Sequence, residues 1–74
     1  MEKLVTKFVN DLGDRLIIHE GRSDNGELGS FVSESFFREK TGKNVITPLV
    51  FFKTENDALD GLDNVALNFG FKKV

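Results

Sequence analysis

Apolar and polar residues alternate at the start of the chain. In residues 3–9, Lys-Leu-Val-Thr-Lys-Phe-Val, one side collects Leu4, Thr6 and Phe8 and the other Lys3, Val5, Lys7 and Val9. This period of two, with β-branched residues, predicts a strand. Asn10 to Asp14 stack turn formers around Gly13, and Arg15-Leu16-Ile17-Ile18-His19-Glu20 resumes the strand pattern, so the first two elements form a hairpin. The stretch Gly21 to Gly29 holds three glycines and an Asn25-Gly26 pair, the dipeptide favoured in tight hairpin turns, and reads as a loop into which the second strand runs.

Beyond that loop the apolar spacing changes. Leu28, Phe31, Val32 and Phe36 recur at intervals of three and four, Ser30 or Ser33 is available as a cap, and Lys40-Thr41-Gly42 offers a cationic last turn and a stop. The expectation is a first helix over about 30–41, with Phe37 off its stripe. Leu49-Val50-Phe51-Phe52 then forms a third strand, which begins at or after Pro48 unless that residue turns its missing N–H away from any partner. Thr54 and Asp57 resemble a capping box at the start of a second helix, where Ala58, Leu59, Leu62, Val65, Ala66 and Phe69 keep the helical spacing for three turns. Gly61 weakens this helix by roughly 1 kcal/mol relative to Ala. Gly70 suits a left-handed cap with Phe71 folding back on Ala66, and residues 71–74 add a short last strand.

The resulting expectation is an α+β fold, a single domain over residues 1–74 in the order β-β-α-β-α with a final β. Its mainly antiparallel sheet has three or four strands, with both helices on one face, and the strand after Pro48 lies beside the first strand in the order second, first, third.

Length and composition then narrow the function. The 74 residues carry ten Lys and Arg against twelve Asp and Glu, a net charge of −2 that announces neither nucleic acid nor a membrane surface. No apolar run approaches the roughly 18 residues of a membrane span. With no Cys there is no disulfide, thiolate ligand or thiol nucleophile, and a cytoplasmic location is the expectation. All aromatic content is eight Phe, with no Trp or Tyr, so every ring is a purely apolar payload.

Candidate chemistry is sparse. His19 is the only histidine, which excludes a histidine zinc site within one chain, and a Ser-His-Asp triad would need it as base with Ser23, Ser30, Ser33 or Ser35. No nucleophile-elbow pattern supports that. Asp57, Asp60 and Asp63 with Glu55 load the first half of the second helix, as its dipole favours. The glycines at 21, 26 and 29 match neither phosphate-binding spacing. The reading is therefore no enzyme, no cofactor and no metal.

What remains is an apolar surplus. If Leu4, Phe8, Leu16 and Ile18 face the helices, strand alternation sends Val5, Val9, Ile17 and one pair from Leu49 to Phe52 to the opposite face. Val5, Lys7, Val9, Ile17, His19 and Phe51 make up the candidate interface, with Lys3 and Lys7 at its rim. The expected function is a small non-enzymatic interaction module, accessory or regulatory, using this open face for a protein partner or a second copy as a homodimer. The alternative is a nucleic-acid-binding domain using scattered Lys and Arg with exposed Phe, which the charge balance disfavours.

Overall fold

The structure is a computed structural model and describes residues 4–74. Lys3, assigned above to the first strand and its rim, lies outside the described residues. The elements are β1 (Leu4–Val9), β2 (Arg15–Arg22), β3 (Leu28–Arg38), β4 (Lys43–Phe52), α1 (Glu55–Phe69) and β5 (Lys72–Lys73). They build one antiparallel sheet in the order β4-β3-β2-β1-β5, a four-stranded meander whose helix crosses back to lay β5 on β1.

The segment expected as a first helix is β3. Its serines fall on both faces of the strand and blur the alternation, but the residues that carry it, Phe31, Val32, Phe36 and Phe37, suit a pleated surface better than a helix. Pairing decides the outcome: β3 bonds to β2 from Arg15↔Ser35 to Arg22↔Leu28 and to β4 from Ser30↔Phe52 to Arg38↔Lys43. With three consecutive hairpins in place, β4 lies beside β3 and not beside the first strand, and among the described residues one helix, not two, covers the sheet. A tight turn joins β2 to β3, but not as the expected Asn25-Gly26 turn: the Gly26 N–H donates to Ser23 O at 2.9 Å, so Asp24 and Asn25 are its central residues, only Gly26 takes a positive φ, 84°, and Gly21 and Gly29 belong to the strands.

Pro48 sits inside β4 and is tolerated because β4 is an edge strand. The register slips beside it: Val32 pairs with Val50, yet Ser33 pairs with Pro48, leaving Leu49 as an extra residue. This bulge breaks strict alternation. Leu49, Val50 and Phe52 all pack on the core, so a single residue of the run, Phe51, turns outward where a pair was expected.

The helix forms as its pattern requires. Thr54 Oγ1 accepts the Asp57 N–H at 3.1 Å, Gly70 takes a left-handed φ of 79°, and the Phe71 N–H donates to Ala66 O at 2.8 Å. A side chain at Gly61 would meet the ring of Phe52 at 2.8 Å, so the glycine exists there to let that ring lie on the helix. The core is Leu16, Ile18 and Val32 from the sheet against Ala58, Val65, Ala66 and Phe71. Leu62 packs at its border and is not fully buried, so Val65 is the helix's main anchor. No helix among the described residues is long and apolar enough to cross a membrane.

Ile18, 1% exposed, touches the helix from the middle of the sheet. Ile18→Ala is expected to cost about 2–5 kcal/mol, comparable to the whole stability of a small domain, and to abolish or nearly abolish the cooperative thermal transition.

Candidate interaction surface

The sheet face away from α1 is set by register. Val5 pairs with Ile17, Ile17 with Ser33 and Ser33 with Pro48; His19 pairs with Phe31 and Phe31 with Phe51. The second row is an aromatic ladder across three strands, His19 stacking on Phe31 at 5.8 Å and Phe31 meeting Phe51 edge-on at 5.1 Å. Two cross-strand glycines make room for it. A Cβ at Gly21 would come within 2.8 Å of the Phe31 ring, and one at Gly29 would collide with Phe52 O and the Phe51 ring. The rings thus lie over bare backbone and pin the turn end of the β2–β3 hairpin.

Of the residues expected at the interface, Val5 and Lys7 are exposed, Val9, His19 and Phe51 are half-buried, and Ile17 is only 3% exposed. The centre of the face is already dry: Ser33 beside Ile17 is fully buried. The register slips between Val5 and Val9, and the Thr6 hydroxyl fills the gap by donating to Leu16 O at 2.8 Å while accepting the Phe8 N–H at 3.2 Å. Lys7 lies in this irregular stretch, and Val9 pairs with Arg15 and Lys72. Phe31 and Phe37 belong to the same face. Sequence reasoning missed both because it placed them on a helix.

Around the dry centre runs a groove of about 300 Å³ lined by Val5, Arg15, Ile17, Ser35 and Phe37. Val5 is 60% and Phe37 56% exposed. Among the described residues, no carboxylate occupies a paired strand position on this face, while Arg15 and Lys72 do; Asp24 and Glu27 approach it only from the β2–β3 loop, beside Phe51.

His19 does find a serine. Its Nε2 is 2.7 Å from Ser33 Oγ and its Nδ1 3.1 Å from Glu20 O. A carbonyl can only accept, so Nδ1 donates to it, and in the tautomer with its N–H on Nδ1 the ring accepts the Ser33 hydroxyl at Nε2. This is the hydrogen-bond order of a serine–base pair, but Ser33 Oγ is sealed from any acyl group and Nδ1 meets a backbone carbonyl in place of a carboxylate. The pair holds the imidazole flat against Phe31. Ser23, Ser30 and Ser35 do not reach His19. No group of three or more His, Asp or Glu among the described residues is placed to hold a metal ion.

One titrating cluster closes the other end of the sheet. Asn10 Nδ2 donates to Asp14 Oδ2 at 3.1 Å and to Glu34 Oε1 at 3.4 Å. A hydrogen bond with Asp14, together with desolvation and the charge of Asp14, raises the Glu34 carboxyl above its ordinary value, and Asn10 opposes the rise.

In comparisons with known proteins, no family, no curated protein and no solved structure matches this chain.

Two outcomes follow from this geometry. A group whose folded pKa is raised holds its proton more tightly when folded, so its contribution to stability is present below the ordinary carboxyl value and is lost as pH rises through the folded one. Glu34→Gln is therefore expected to raise the melting temperature at neutral pH, with a gain that shrinks toward pH 4; an equal gain at both would mean the carboxyl pair is not its source. Gly29→Ala forces a methyl into the Phe52 carbonyl and the Phe51 ring and is expected to cost about 1–3 kcal/mol, read by denaturant titration.

Proposed function

We propose that this protein is a small non-enzymatic interaction module that docks a partner protein on the open sheet face. The observation that carries the reading is the make-up of that face: a groove of mixed lining with Val5 and Phe37 exposed at its edges, no carboxylate at a paired strand position on that side, and a floor at Ile17 and Ser33 already desolvated. A dry floor surrounded by accessible apolar groups is what a protein surface buries at low cost, because few polar groups must lose water. Arg15 and Lys72 supply the polar rim, which suits a partner with an apolar ridge bordered by acids.

The second reading, a single-stranded nucleic acid lying across the face, draws on the ladder His19, Phe31 and Phe51. Two features weigh against it. Phe31 and Phe51 are engaged with each other and with the glycines beneath them, and the acids Asp24 and Glu27 stand at the Phe51 end, where phosphates would have to pass.

The test pairs Val5→Glu and Phe37→Ser, both exposed, and measures capture of protein partners from extract alongside anisotropy of a labelled oligo-dT. The expected result is that the double variant keeps its melt within a few degrees and loses partners that the unaltered protein retains at both low and moderate salt. Oligo-dT binding that falls steeply with salt and is lost in the same variant would transfer the face to nucleic acid. Partner capture indifferent to both substitutions would remove the face from the function.

A further inference from the structure

We infer that two copies of this chain pair by laying the β3–β4 hairpin of each on helix α1 of the other, a surface separate from the open face. The β2–β3 pairing ends at Arg15↔Ser35, whereas β3 and β4 continue through Phe36↔Val45, Phe37↔Asn44 and Arg38↔Lys43. The last three pairs form a two-stranded arm with no neighbouring strand. Such a ribbon is marginal alone, and this one carries Phe36, Phe37 and Val45 exposed, around a hollow of about 550 Å³ formed entirely by residues 36–41. On the side of the arm that continues the helix-covered face, alternation places Phe36 and Val45 next to Arg38 and Lys43, an apolar pair followed by a cationic pair.

The complement is on α1. Glu55, Leu59, Asp63 and Leu67 stand four residues apart in one row, all exposed, acid alternating with leucine, and the helix has no base anywhere. Steps along this row are about 6 Å, and steps along one face of a strand about 6.7 Å, so leucine and acid meet phenylalanine and cation in the same rhythm. Leu59 and Asp63 also border a groove of about 290 Å³ against Leu4 and Phe8, with Lys7 and Lys73 at its β1 and β5 rim, a recess in which the ring of Phe36 can be buried.

The arm cannot satisfy its own helix. Since β4 runs from the arm to the helix start, the cationic tip and the first acidic turn of α1 lie at opposite ends of a molecule 33 Å long. A two-fold axis across the strands reverses the ends and brings each tip to the other copy's acids, which makes the contact self-complementary and closed. Extension of the sheet through the free edge of β4 is the competing route to a dimer, and Pro48 and the bulge beside it obstruct that route.

The test is molar mass by light scattering and sedimentation over a range of concentrations, with circular dichroism confirming the fold. The unaltered chain is expected to reach a dimer. Arg38→Glu with Lys43→Glu, and separately Glu55→Lys with Asp63→Lys, are each expected to weaken dimerisation at least about tenfold, and the two reversed chains mixed together are expected to recover a heterodimer. A monomer at every concentration, or a dimer unmoved by both reversals, would overturn the assignment. Lys72→Glu separates this inference from the open-face reading: Lys72 is exposed at the rim of the open face, on the sheet edge opposite the arm, and lines neither groove, so a dimer broken by Lys72→Glu but unmoved by both charge reversals would place the contact between copies on the open face and refute the arm.

Discussion

One helix has to cover a five-stranded sheet, and it is too short to do so. Fifteen residues of α1 span about 21 Å, while the eleven residues of β3 extend about 33 Å, and five strands side by side add a width of about 20 Å. The core accordingly gathers where the helix crosses β2, β3 and β4, around Leu16, Ile18, Val32 and Val65. Everything outside that footprint must be stabilised in some other way: the open face by its own side chains, the arm by whatever it meets.

The open face solves its part locally. Glycines at positions 21 and 29 remove two side chains, and the rings of Phe31 and Phe51 occupy the space, so apolar surface is buried against backbone without a second layer. The Ser33 hydroxyl, fully buried on the same face, is satisfied by His19, which in turn is satisfied by Glu20 O, so among the described residues no buried polar side chain is left without a partner. The bulge at Leu49 works to the same end from the other side, turning three apolar residues of β4 inward and leaving Phe51 for the ladder. A sheet of these long strands would otherwise present the Leu49 to Phe52 run as a flat, sticky edge.

The elements whose pattern is set by a single partner layer were legible in the sequence. Helix α1 shows an unbroken stripe, a Thr54 cap and a Gly70 stop, and the first hairpin alternates clearly; both stand in the structure close to their expected bounds. The 30–38 segment was not legible, because β3 is paired on both sides and its two faces have different neighbours: Val32 enters the core, Ser33 is buried under the ladder, and Phe37 is exposed on the arm. Three burial environments in one strand leave no period of two, and the residual spacing of Phe31, Val32 and Phe36 mimics a helix. The interface residues inherited that error. Register puts Val5, Ile17, His19 and Phe51 on one face; alternation had left open whether Leu49 and Phe51 or Val50 and Phe52 turn outward, and Phe31, which joins His19 to Phe51, was out of reach until its strand was known.

The charge distribution shows why a whole-chain average misled less about stability than about surfaces. A net charge of −2 describes no part of the molecule: α1 carries four acids and no base, the residues from Arg38 to Lys43 carry three bases and one acid, and the paired strand positions of the open face carry Arg15 and Lys72 with no carboxylate. Segregation on this scale costs little within one copy, because the charges are exposed and the cationic tip stands at the opposite end of the molecule from the first turn of α1, farther than the Debye length at physiological ionic strength, about 8 Å. For the same reason it contributes little to folding. Its effect falls on encounters, where an acidic helix, a cationic tip and a carboxylate-free face each present a different sign to an approaching molecule, and where two copies meeting head to tail are the arrangement in which unlike ends face each other twice.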